Sequence, residues 1–120
     1  MDLDAAGVLN NSVYLTLVEQ ARLAYFGALG LMCGDQFPFL LGETTVRYLR
    51  PGGVGPMTIA TRVSRLGTKS FDMDYVLRSE AGEDVARVRA TLVWVDDGLA
   101  STPIPDEARR KMAEHDGLDP

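Results

Sequence analysis

One cysteine, one histidine and one tryptophan occur in this chain of 120 residues. Cys33 stands alone, so no internal disulfide can form and nothing points to secretion. It reads as an inert thiol at a helix end. His115 lies in a polar tail outside any metal-ligand spacing, and no metal or other cofactor is expected. No apolar run reaches the roughly 20 residues that span a bilayer. The opening Met-Asp-Leu-Asp is unlike a signal peptide. A soluble cytoplasmic protein with no membrane partner is the expectation. Basic residues are also scarce, 12 against 17 acidic ones, for a net charge of −5. That balance excludes a nucleic-acid partner, whose phosphates need clustered Lys and Arg. Gly52-Gly53-Val54-Gly55 is glycine-rich but lacks the Lys-Ser/Thr that completes a phosphate loop.

Apolar residues make up 46% of the chain, which favours an ordered core, and the length fits one domain over residues 1–120. Tyr14, Val18, Ala21, Tyr25, Leu29 and Met32 recur at helical spacing. Leu15, Leu23 and Phe26 widen that stripe, so the helix is expected to be wrapped by other structure. Asn10 or Asn11 is the expected cap at its start. Strands are expected over Thr44–Arg50, Met57–Arg65, Phe71–Leu77 and Val85–Val95. The third alternates most cleanly, with Phe71, Met73, Tyr75 and Leu77 between Ser70, Asp72, Asp74 and Arg78. Ala86, Val88, Ala90, Leu92 and Trp94 form one face of the fourth, Arg87, Arg89 and Thr91 the other. A short charged helix from Pro103 to about His115 ends the pattern. Short connections predict antiparallel neighbours. A curled sheet around one central helix would cover both apolar surfaces.

The densest chemistry lies ahead of the long helix, in Asp4-Ala-Ala-Gly7-Val8-Leu-Asn10-Asn11. A helix start offers unpaired N–H groups and the positive end of the macrodipole. A carboxylate beside it can act as nucleophile or as general base. Gly7 permits a tight turn or close ligand approach. Each residue also has a plainer reading: Asp4 as a solvated acid, Asn10 and Asn11 as simple caps, Tyr14 and Tyr25 as core residues with a polar tip.

Asp4-x-x-Gly7-x-x-Asn10-Asn11-x-x-Tyr14, followed by Glu19-x-Ala21-Arg22, resembles the opening of the hotdog-fold acyl-CoA thioesterases of the 4-hydroxybenzoyl-CoA thioesterase type. Arg65-Leu66-Gly67-Thr68-Lys69-Ser70 and the tail with Pro103-Ile104-Pro105 agree with it. The resemblance implies an α+β hotdog fold, a curled antiparallel sheet wrapped around a central helix. It implies hydrolysis of acyl-CoA or acyl-carrier thioesters, with coenzyme A as part of the substrate rather than a cofactor. It implies a homodimer, in some members a dimer of dimers, with sites at the subunit interface. Asp4 then matches the catalytic carboxylate and the backbone N–H of Asn11 the donor that polarises the carbonyl. Glu19 matches a secondary acid in the pocket, its plainer reading being an ion pair with Arg22. Gly7, Val8, Asn10 and Tyr14 line the substrate side. Val8 stands where many relatives carry histidine.

Only three residues precede Asp4, where the family has a strand, so a missing or truncated first edge strand is expected. The competing reading is a non-catalytic acyl-CoA-binding protein of the same fold. Arg65, Lys69 and Ser70 are the candidates for holding coenzyme A phosphates. Arg47, Arg62, Arg87 and Arg89 read individually as solvated strand residues.

Overall fold

The computed structural model describes the backbone of residues 3–32, 38–49 and 56–119, and side chains from residue 14 onward within those ranges. Helix α1 (Leu3–Leu29) precedes four strands, β1 (Phe39–Tyr48), β2 (Met57–Leu66), β3 (Ser70–Ser79) and β4 (Asp84–Trp94), and helix α2 (Asp106–Asp116) follows. Cys33 and the Gly52–Gly55 loop lie outside the described residues.

The strands form one antiparallel sheet in the order β1-β4-β3-β2. The expectation of a curled sheet wrapped around a central helix is overturned. The sheet is open, and among the described residues β1 and β2 each pair on one side only. Closure would need these two strands to meet, and they stand at opposite edges. The same order corrects the expectation that short connections make every successive pair neighbours. β2, β3 and β4 do pair in turn, but β1 crosses to β4, pairing Phe39 with Trp94 and Tyr48 with Ala86.

The helix explains why one covered side suffices. Tyr14, Val18, Arg22, Tyr25 and Phe26 are buried, whereas Glu19, Gln20, Leu23, Ala24, Gly27 and Ala28 are exposed. Counting apolar residues overstated the stripe. Leu23 is 51% exposed, and alanines and glycines carry too little surface to demand cover. What remains is a hotdog-like arrangement, one helix laid on an antiparallel sheet.

The inward rows are those the alternation predicts. Phe71, Met73, Tyr75 and Leu77 of β3 stand beside Leu92, Ala90, Val88 and Ala86 of β4, all buried. The small Ala86 and Ala90 leave room for larger neighbours. Phe26 fills one end, its ring 4.7 Å from that of Phe39 and 5.8 Å from that of Phe71. Tyr14 packs at the other end, 5.5 Å from the ring of Tyr48.

α2 opens on Asp106 and Glu107, acids that suit the positive helix end. It stops at Gly117, whose φ of 69° only glycine adopts cheaply. The Leu118 amide closes back on the Ala113 carbonyl at 2.9 Å.

Candidate functional site

α1 begins at Leu3, eight residues ahead of Asn11. The expected start at Asn10 or Asn11 therefore differs from the structure. Asp4 falls in the first turn, where N–H groups have no intrahelical partner. Gly7, Val8, Asn10 and Asn11 fall further along the same helix. Their side chains lie outside the described set, and Tyr14 is the first candidate whose surroundings are defined. It is 2% exposed, held between α1 and the sheet end that carries Tyr48.

Glu19 is exposed, and no ion pair joins it to Arg22. Arg22 turns inward instead. Its Nε donates to the Tyr75 hydroxyl at 2.9 Å, and the guanidinium lies 5.7 Å from the centre of that ring. The Tyr75 hydroxyl in turn donates to the Met73 sulfur at 3.4 Å. Burial raises the Tyr75 pKa, and the Arg22 charge opposes that rise. Arg22 thus provides a buried cation beneath α1 in place of the expected ion pair with Glu19.

Arg65, Lys69 and Ser70 cluster on the β2–β3 turn. Arg65 binds Asp72 through two nitrogens, at 2.8 Å and 3.2 Å, and reaches the Ser70 hydroxyl at 3.1 Å. Asp72 also accepts from the Thr91 hydroxyl at 2.7 Å. The Arg65 hydrogen bonds, chiefly, and that of Thr91 lower the Asp72 pKa. Lys69 is exposed, and its carbonyl accepts the Trp94 amide. Next to the turn, Leu66, Gly67, Thr68, Pro103, Ile104 and Arg109 line a shallow cleft of about 460 Å³. The Arg109 guanidinium donates to the Gly67 carbonyl, and the Ile104 amide to that of Thr68.

This turn and Tyr14 occupy opposite ends of the protomer. Tyr14 packs by Tyr48, whereas Phe26 packs by Phe71, next to the turn. Twelve helical residues separate Tyr14 from Phe26, about 18 Å at 1.5 Å per residue. Asp4 and Asn11 lie beyond Tyr14, on the side away from the turn. Within one protomer the acid-bearing end of α1 and the Arg65–Ser70 turn do not meet.

A second polar cluster goes unannounced by any residue pattern. Asp116, at the end of α2, has a side chain only 6% exposed. It accepts from the Tyr25 hydroxyl at 2.5 Å and the Val63 amide at 2.9 Å. His115 Nδ1 lies 3.0 Å from its other oxygen, and the His115 ring meets Tyr25 edge to face at 5.2 Å. Burial first, then the Asp116 bond and charge, raise the Tyr25 pKa far above the ordinary tyrosine range. A carboxylate in the last turn opposes the helix dipole, so contacts across the fold must hold it there. In sequence, Asp116 is one more acid in a charged tail.

Among the described residues, no group of three or more His, Cys, Asp and Glu side chains could hold a metal ion. No helix among them is long and apolar enough to cross a membrane.

Comparison with known proteins places this geometry in a family. The fold superposes on a thioesterase from Thermus thermophilus, crystallised with coenzyme A and Zn, with a TM-score of 0.82 and 28% identity over 92% of this chain and 82% of that one. A thioesterase-superfamily protein from Jannaschia sp. CCS1 gives a TM-score of 0.77 and 27% identity over 90% and 72% of the two chains. The chloroplastic acyl-acyl carrier protein thioesterase ATL2 of Arabidopsis thaliana is 24% identical over 114 residues, 90% of this chain. The chain spans about three fifths of the length of the curated relatives it matches, 61% and 62%. The profile of the Thioesterase-like superfamily matches residues 1–112, from Asp4 through the whole sheet into α2, and the chain belongs to that superfamily.

Proposed function

We propose that the protein hydrolyses acyl thioesters of coenzyme A or an acyl carrier protein, releasing the free acid and the thiol, in the manner of the 4-hydroxybenzoyl-CoA thioesterase type. The observation that carries this reading is the superfamily match over residues 1–112, which includes the Asp4–Arg22 segment. Asp4 is the reactive carboxylate. It attacks the thioester carbon, breaking the C–S bond to expel the thiol and give a mixed anhydride that water then hydrolyses to the free acid, or it takes the proton of a water that attacks the same carbon. Either route puts negative charge on the carbonyl oxygen, and backbone amides near the start of α1 stabilise it. Removal of one such donor typically costs about 3–4 kcal/mol of barrier.

The assigned donor is the Asn11 N–H. In an unbroken helix that amide is held by the carbonyl four residues earlier, that of Gly7. The assignment therefore requires the segment from Gly7 to Asn11 to leave the helix when substrate binds. Its composition supports this. Gly7, Asn10, Asn11 and Ser12 are poor helix formers, together about 2–3 kcal/mol less favourable than alanine. Gly7, Val8, Asn10 and Tyr14 border the acyl group, and Glu19 acts as a secondary acid. Because Asp4 and the Arg65–Ser70 turn are separated within a protomer, Arg65, Lys69 and Ser70 serve a neighbouring subunit's site in a homodimer or dimer of dimers.

The continuity of α1 from Leu3 favours a second reading, a protein that binds acyl-CoA without cleaving it. A panel of acyl-CoA and acyl-carrier thioesters, with thiol release as readout, separates the two. Turnover lost in Asp4→Asn with substrate affinity kept supports the enzyme. Tight binding with no thiol release in the unmodified protein supports the second reading. Equal turnover in Asp4→Asn removes Asp4 from the mechanism.

A further inference from the structure

The register of the sheet gathers arginines that the sequence leaves scattered. One row across the face opposite α1 runs Thr45, Arg89, Asp74, Arg62 through β1, β4, β3 and β2. The next row places Arg47 directly beside Arg87, followed by Val76. These residues line a half-open groove of about 640 Å³. Four of the chain's 12 basic residues therefore share one concavity in a protein whose net charge is −5.

The positive charge there is poorly neutralised. Among the described residues Asp74 is the only carboxylate in the lining, and Arg89 occupies it with two bonds, at 2.8 Å and 3.2 Å. Arg87 reaches Asp84 outside the groove at 3.3 Å. Arg47 and Arg62 form no ion pair with any described residue. Arg47 opposite Arg87 is a like-charge cross-strand pair, an arrangement that costs stability unless an anion sits between the two. The guanidinium fork matches the oxygens of a phosphate group, and a concave wall of one sign concentrates anions even on an acidic protein.

We propose that this groove is a binding site for a ligand bearing two or more phosphate groups, held by Arg47, Arg62, Arg87 and Arg89. Two sources carry that chemistry, a free diphosphate or nucleotide and the phosphate-rich half of a coenzyme A thioester. The site lies across the sheet from α1, so it does not depend on the reading of Asp4.

Calorimetric titration of the full chain with inorganic pyrophosphate at low ionic strength tests it. Binding is expected to weaken as salt is added. All four arginines are exposed, so Arg47→Gln with Arg62→Gln should leave the fold intact, as circular dichroism and melting will verify. That double variant should bind at least about tenfold more weakly per arginine removed, one charge-assisted contact each. Arg110→Gln on the exposed side of α2 should bind like the unmodified protein. Displacement of pyrophosphate by coenzyme A would assign the groove to the substrate's phosphates, and simultaneous binding would assign it to a separate anion. Absent binding, or equal binding by the double variant, overturns the site. A change in oligomeric mass in that variant without pyrophosphate binding overturns it in favour of contact between copies of the chain. Thioester hydrolysis lost in Asp4→Asn while pyrophosphate still binds would keep this result distinct from the catalytic reading.

Discussion

Replacing Asp116 by alanine removes the acceptor that joins α2 to α1 and to β2 at once. Two donors lose their partner, the Tyr25 hydroxyl at 2.5 Å and the Val63 amide at 2.9 Å. Val63 is fully buried and β2 is a sheet edge among the described residues, where no neighbouring strand takes over its N–H. Hydrogen bonds to a charged group contribute about 1.5–3 kcal/mol each, and a buried donor left unpaired incurs its full desolvation cost. His115 is 49% exposed and its contact with Asp116 adds little. Allowing for water that partly replaces the carboxylate, the expected loss is about 3 kcal/mol, a large share of a typical domain's 5–15 kcal/mol. At about 2.1 cal/mol/K per residue, this chain should melt about 12 °C lower. Scanning calorimetry reads the shift, and hydrogen exchange at the Val63 amide locates it. Asp116→Asn keeps one acceptor and should lose about half as much. A melting point within about 2 °C of the unmodified protein, with Val63 protection unchanged, would refute the clasp.

Gly67→Ala should also destabilise, by about 1–3 kcal/mol. A Cβ there would meet the Ser70 carbonyl at 2.9 Å and an Arg65 nitrogen at 2.5 Å, so the β2–β3 turn must shift, and urea denaturation should show a lower midpoint with an unchanged slope. Asp72 predicts an acid dependence. Its folded pKa lies below the ordinary aspartate value, chiefly through Arg65, so its stabilisation is complete above about pH 4 and is lost as pH falls through the lowered value. Asp72→Asn should flatten the acid limb of the stability curve, and a limb identical to that of the unmodified protein would remove Asp72 as its source.

The sheet was legible where side chains alternate. β3 could be placed because every second residue from Phe71 to Leu77 is large and apolar, and β4 because Arg87 and Arg89 punctuate its alanines and valines. β1 was harder. Phe39-Leu40-Leu41-Gly42 does not alternate, and the expected strand began only at Thr44. The pairing of β1 with β4 left no local trace, because which edge a strand joins is decided by long-range packing rather than by its own pattern. The extent of cover on α1 was misjudged because Leu23, Ala24 and Ala28 count as apolar without being buried. Asp4, Gly7 and the two asparagines stand out in the sequence by residue type, though their side chains lie outside the described set, while Arg22 beneath Tyr75 and Asp116 beneath Tyr25 do not. Both are charged residues whose partners lie far along the chain, 53 and 91 residues away.

The crossing of β1 to β4 bears on how the protein is made. When Tyr48 leaves the ribosome, the strand that will zip along it is still untranslated, its last residue 46 positions downstream. At 5–20 residues per second that wait lasts roughly 2–9 s. Throughout it the β1 edge that will pair with β4 and the Phe39 face that Trp94 will meet remain uncovered, a window in which a chaperone, or another nascent copy of the same strand, can reach them first.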